Sequence, residues 1–120
     1  MKISYLFKNL AKKINDAKAY TDAQMETGTD YLKFANGVLL QWGTVDVIAS
    51  ANSQDYTDLS FTESFVSVPV VTVSCSTDNP FRQRSTPDNI TITGFRARLY
   101  NGDSTSVTKT LNWIAIGKWK

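Results

Sequence analysis

The chain has 120 residues, 42% hydrophobic and 20% charged, with a net charge of +2. That is the balance of a soluble globular protein with room for one domain and an appendage, and the charge excess is too small for a nucleic-acid binder. With no His and a single Cys, the Ser/His/Asp and Cys/His nucleophile systems, the usual zinc ligand sets and a disulfide framework are all excluded.

No cofactor and no metal are expected. No apolar run approaches the length of a membrane span or a signal peptide, which predicts a chain made in a cytoplasm without membrane insertion. Residues 1–34 hold six Lys against Asp16, Asp22, Glu26 and Asp30, whereas residues 35–120 balance seven basic with seven acidic groups.

Residues 1–34 contain no Pro and only Gly28, and Ile3, Phe7, Leu10, Ile14 and Ala17 recur at alternating spacings of four and three. This heptad seam predicts a helical coiled-coil stalk that pairs with copies of itself through Ile3, Phe7, Leu10 and Ile14. The helix is expected to end near Glu26-Thr27-Gly28, with Gly28 as its cap. The alternative is an amphipathic helix folded back on the rest of the chain.

From residue 35 the period changes to that of strands. Asn36-Gly37 signals a turn and Val38 to Val45 reads as a strand. Residues 49–58 are small and polar, as in a loop, and Leu59, Phe61 and Phe65 resume an alternating pattern with a bend at Glu63-Ser64. Pro69 opens a strand in which Val71, Val73 and Cys75 share a face, which makes Cys75 a small buried hydrophobe. Thr77 to Asn89, with two Pro, reads as the longest irregular segment.

Ile90 to Tyr100 alternates with a slip of parity at Gly94, which predicts a β-bulge there. Asn101-Gly102-Asp103 reads as a hairpin turn into the last strand. In that strand, Leu111 to Gly117, both faces are apolar, so it must be covered on both sides by a second sheet or by another copy of the chain. These short strands amount to an antiparallel β-sandwich over residues 35–120, mainly β in class, preceded by the stalk at 1–34.

The motifs Asn36-Gly37-Val38-Leu39-Leu40-Gln41-Trp42-Gly43, Phe61 to Phe65 ahead of Pro69-Val70-Val71, Thr93-Gly94-Phe95 and Trp113-Ile114-Ala115-Ile116-Gly117, in this order, resemble the C-terminal tip domains of bacteriophage tail fibres, which are similar to H-type lectins. The resemblance covers roughly residues 36–117. It implies a homotrimer, a virion component assembled in the host cytoplasm, other phage tail proteins as partners, and attachment to bacterial surface polysaccharide or lipopolysaccharide. It also marks the chain as a small separate fibre, a tip attached to another protein or a piece of a longer fibre. Many fibres of this kind thread axial metal ions through His-containing repeats, and a chain without His departs from that pattern.

The candidate contacts for such a ligand are cationic and aromatic. All four Arg fall at positions 82, 84, 96 and 98. Arg96, Arg98 and Tyr100 share the face opposite Phe95, Ala97 and Leu99, where guanidinium forks can clasp sugar hydroxyls, carboxylates or phosphates; pairing with acids of a neighbouring subunit is the alternative. Asp78, Phe81, Arg82 and Arg84 of the long loop complete the expected site, and Trp119 is a further aromatic candidate. Trp113, Ile114 and Ile116 are expected at the subunit interface. Carboxylate pairs such as Asp55/Asp58 or Asp78/Asp88 are what glycosidic cleavage would need, and turn capping accounts for them more simply, so the chain reads as a non-enzyme.

Overall fold

The computed structural model describes residues 2–120, apart from the side chains of Thr21 and Asp22. Helix α1 (Lys2–Gln24) leads into β1 (Met25–Thr27), β2 (Tyr31–Phe34), β3 (Val38–Ala49), β4 (Ser53–Ser60), β5 (Val70–Cys75), β6 (Gln83–Asp88), β7 (Gly94–Asn101) and β8 (Val107–Lys118). The strands form two antiparallel sheets, a five-stranded one in the order β1-β2-β3-β8-β5 and a three-stranded one in the order β4-β7-β6. They face each other as a sandwich.

The extents of 80 × 30 × 18 Å are those of a sandwich with a projecting rod. At 1.5 Å per residue the helix accounts for about 34 Å of that length. No Gly or Pro interrupts it, and its apolar seam is unburied: Ile3, Phe7, Leu10 and Ile14 are between 54% and 67% exposed. The helix does not fold back on the sheets. It ends at Gln24, earlier than its sequence suggests, because Met25, Glu26 and Thr27 pair with Phe34, Lys33 and Leu32 in a hairpin. Gly28 donates its N–H to the Tyr31 carbonyl within that hairpin (2.9 Å) and caps no helix. Residues 25–27 and 31–34 are thus strands of the five-stranded sheet.

The core lies between the sheets. Leu39, Val47 and Ala49 of β3, Val71 of β5, Phe95, Ala97 and Leu99 of β7, and Leu111, Trp113 and Ala115 of β8 are buried there. Phe61 and Phe65 plug its stalk-side end, with ring centroids 5.0 Å apart and edge to face, an arrangement favoured by the ring quadrupoles. Their segment, expected as a bent strand, is irregular backbone held in place by a buried side chain. Gln41, 1% exposed, donates to the Glu63 carbonyl (2.8 Å) and accepts from the Glu63 N–H (3.0 Å). An amide side chain thus supplies the ladder partner that a strand would have given.

Several expectations change. Residues 53–58, read as a loop, are most of β4, because their polar residues alternate on one outward face. Gln83 to Asp88 form a strand inside the segment read as irregular, and Pro87 is tolerated because β6 is an edge. Gly94 starts β7 and makes no bulge: residues 90–93 form a turn closed by Thr91 N–H to the Gly94 carbonyl (2.9 Å). A Cβ at Gly94 would lie 2.2 Å from the Leu59 carbonyl oxygen, so close backbone approach, not parity, explains the glycine. Residues 101–103 do not make a hairpin either; they carry the chain from one sheet to the other.

The terminal strand is covered on one face only. Leu111, Trp113 and Ala115 point inward, whereas Ile114 and Ile116 face out, 52% and 47% exposed. Trp113, expected at a subunit interface, packs inside against Phe61 and Phe95, with ring centroids 5.9 and 5.5 Å away.

Candidate functional site

The outer face of the three-stranded sheet is a grid set by strand register. Tyr56, Arg98 and Thr86 form one row, Asp58, Arg96 and Asp88 the row on one side of it, and Gln54, Tyr100 and Arg84 the row on the other. Alternation turns these nine side chains outward while Phe95, Ala97 and Leu99 fill the core.

Within the grid the charges pair unevenly. Arg96 makes a fork with Asp58, from Nε to Oδ1 at 2.8 Å and from Nη2 to Oδ2 at 3.2 Å, and its guanidinium lies 3.7 Å from the Tyr56 ring centroid. Arg98 reaches diagonally to Asp88, Nε to Oδ2 at 2.7 Å. The hydrogen bond from Arg96 holds the Asp58 carboxyl below the usual carboxylate range. Asp88 is held down by its bond from Arg98, aided by the Asn89 N–H.

Arg84 differs. Its guanidinium lies 4.8 Å from the Tyr100 ring centroid, and among the described residues no carboxylate is in ion-pair range of it. Gln54, Arg84, Ser85, Thr86, Arg98 and Tyr100 line an open cleft of about 460 Å³, within the size range of small-ligand sites.

The structure therefore brings Arg98 and Tyr100 together, as their alternation suggested. It sets beside them Arg84, which the sequence placed in an irregular loop and the structure places on β6, and adds Gln54, Ser85, Thr86 and Tyr56. Sequence reasoning missed Gln54 and Tyr56 by placing them in a loop; their period-two spacing with Asp58 was the available signal. Arg96 joins the face but is locked on Asp58. Asp78, Phe81 and Arg82 lie in the loop before β6 and do not line the cleft.

That loop is at the end of the sandwich away from the helix. The helix joins where Val38 pairs with Lys118, and β3 and β8 run from there to Ala49 and Val107, eleven steps or about 36 Å away. At the far end Asp103 knits the loops, accepting from Asn79 Nδ2 (3.2 Å) and from the buried Gln83 Nε2 (2.8 Å). Buried Asn101 donates to the carbonyls of Ala49, Ser50 and Thr105. Phe81 projects from this end 93% exposed, and Arg82 stands 3.7 Å from Asp103.

Trp119 is no open platform. Its indole N–H donates to the Phe34 carbonyl (2.8 Å), with the Lys33 and Lys120 amino groups 5.5 and 4.9 Å from its ring. Among the described residues no cluster of three or more His, Cys, Asp or Glu side chains is arranged to hold a metal ion.

Residues 33–118 match the family model described as tail fiber protein gp53-like, C-terminal. The chain belongs to this tail fibre family. Among solved structures, the gp53-like domain is similar to an N-truncated R1-type pyocin tail fibre, with TM-score 0.62, 17% identity, and coverage of 78% of this chain and 83% of that one. It is also similar to the tailspike protein gp49 of Pseudomonas phage LKA1, with TM-score 0.60, 21% identity, and coverage of 70% of this chain and 16% of that one. A third is the Gp54 tailspike of Acinetobacter baumannii bacteriophage AP22, solved in complex with A. baumannii capsular saccharide, with TM-score 0.52, 20% identity, and coverage of 68% of this chain and 17% of that one. Beside the tailspikes, the gp53-like chain spans only about a sixth of the matched protein. No curated protein matches it.

Proposed function

We propose that this chain is the receptor-binding tip of a phage tail fibre, a homotrimer that adsorbs to bacterial surface polysaccharide or lipopolysaccharide without turnover. The observation that carries the reading is the cleft on the three-stranded sheet, where Arg84, with no carboxylate among the described residues in ion-pair range, sits among hydroxyl, amide and phenol groups. Such groups grip sugars by directional hydrogen bonds, and three copies on one fibre turn weak sites into useful avidity. A saccharide bound to a tailspike with a similar domain supports glycan as the ligand class.

In this reading α1 is the stalk, joined to its copies through Ile3, Phe7, Leu10 and Ile14, and the sandwich from Met25 onward is the tip. Ile114 and Ile116, with Leu40 and Trp42 beside them on β3, form the apolar surface on which the three tips meet. Other phage tail proteins hold the fibre in the virion, which is assembled in the host cytoplasm.

The carboxylates support binding without cleavage. Glycoside hydrolysis needs one carboxyl that stays protonated near neutrality, whereas Asp58 and Asp88 are both held in the ionised form by Arg. Asp55 points to the opposite face of β4 from Asp58, its carboxylate accepting from the Ser50 N–H (2.9 Å).

The competing reading, a structural collar or fibre piece that only registers three chains, draws on the exposed apolar seam and sheet face. Adsorption of the purified oligomer to host cells, with assay of released sugar, separates the two. Arg84→Ala is expected to lower adsorption while the oligomer stays intact by light scattering. Unchanged adsorption by Arg84→Ala, or release of sugar, would count against the proposal.

A further inference from the structure

We infer that the cleft takes an acidic sugar, gripping one carboxylate or phosphate group on Arg84. This rests on the glycan-binding reading and names the ligand class within it. The four Arg of the sandwich face only three acids in ion-pair range: Asp103 for Arg82, Asp58 for Arg96 and Asp88 for Arg98. Among the described residues Arg84 is the Arg with no carboxylate in ion-pair range, and none of the residues lining its cleft is an acid. An anion bound there replaces nothing, whereas an anion at Arg96 or Arg98 must displace a bound carboxylate.

The aromatic groups point the same way. Neutral sugars are commonly held by stacking on an open aromatic face, and here guanidinium groups lie over both rings of the grid, Arg96 over Tyr56 and Arg84 over Tyr100. Tyr100 then serves to hold the Arg84 plane in place, leaving its edge donors free for a bidentate acceptor. Gln54, Ser85 and Thr86 are neutral hydrogen-bonding groups suited to the ring hydroxyls of the same sugar.

The test follows the Arg84 and Arg96 Nε–H resonances of the full chain by NMR during titration with glucuronate, glucose 6-phosphate and glucose. Glucuronate or glucose 6-phosphate is expected to shift Arg84 at concentrations where glucose does not, and the tighter of the two identifies carboxylate or phosphate as the source. Arg96, locked on Asp58, stays unmoved. Arg84→Gln weakens the anion by tenfold or more, measured on Tyr100, and Arg84→Lys keeps part of the affinity because the charge remains. Equal response to glucose, or an unaltered affinity in Arg84→Gln, overturns the inference. If Arg84 ignores both anions while the protein still adsorbs to host cells, the acidic-sugar inference falls and the glycan-binding reading stands. Absence of adsorption to every cell and glycan offered removes that reading and this inference with it.

Discussion

The two sheets share one core yet present opposite chemistry to their surroundings. On the outside of the five-stranded sheet the stalk-side half is apolar: Leu40, Ile116 and Val70 stand in one row, Trp42, Ile114 and Thr72 in the next. Farther from the stalk the same face turns polar through Thr44, Asn112 and Asp46. The three-stranded sheet carries no apolar row at all, only the grid of Arg, Asp, Tyr, Gln and Thr. The difference teaches that the two outer faces suit different neighbours, one an apolar half-face that cannot hydrogen-bond water, the other a polar grid that pairs readily with water and solutes. The apolar half adjoins the end where the helix seam is exposed, so a single contact surface can run from the helix onto the sheet.

Strand β8 offers the sharpest way to break the contrast, because its two faces differ residue by residue. Leu111, fully buried, is expected to cost about 2–5 kcal/mol when replaced by Ala, since a cavity is left between the sheets; thermal melting reads this as a large fall in Tm. Ile114→Asp combined with Ile116→Asp acts on the other face. The sandwich should stay folded by circular dichroism, while light scattering shows the proposed trimer opening, because a charge in an apolar contact is left unpaired. If the double variant remains oligomeric, the outer face of this sheet is not where copies meet.

Acid acts on the charged face instead. Asp58 and Asp88 ionise in the folded protein at lower pH than in the unfolded chain. Their contribution is therefore complete above the unfolded value of about 3.9 and is lost as pH falls through the lower folded values. Below about pH 4 the Arg96 and Arg98 Nε–H resonances are expected to move before the five-stranded sheet melts. Asp58→Asn should abolish that acid response at Arg96, and a response identical to that of the unmodified protein would discount the pairing.

The contrast also explains what could be read without coordinates. Two-residue alternation places Arg96, Arg98 and Tyr100 opposite Phe95, Ala97 and Leu99 whichever sheet they join, so that part of the site was legible. The two apolar faces of Leu111 to Gly117 were equally plain, but alternation cannot say which face another sheet covers, and Trp113 was misplaced for that reason. The polar strand Ser53–Ser60 was hidden because an edge strand with one wet face and little apolar content has the composition of a loop. Gln41, Gln83 and Asn101 were also invisible. Each is buried only because it satisfies backbone groups or an Asp distant in sequence, and no local pattern signals such a partner. At Gly94 the true constraint, the Leu59 carbonyl, lies on a strand 35 positions earlier in the sequence.

The smallest expected effect concerns Arg82, which separates the cleft from the loop at the sandwich's far end. Its guanidinium is 3.7 Å from Asp103, with the side chain 60% exposed, and solvent-exposed pairs of this kind contribute roughly 0–1 kcal/mol. Arg82→Ala should therefore change stability by no more than about 0.5 kcal/mol in a urea titration. Because Asp103 already offsets its charge and it does not line the cleft, adsorption should fall less than in Arg84→Ala. The reverse order would move the ligand onto the loop, beside the exposed Phe81. In that case the charged grid would serve mainly to hold β4, β6 and β7 together, and the two faces of the sandwich would differ in what stabilises them more than in what they bind.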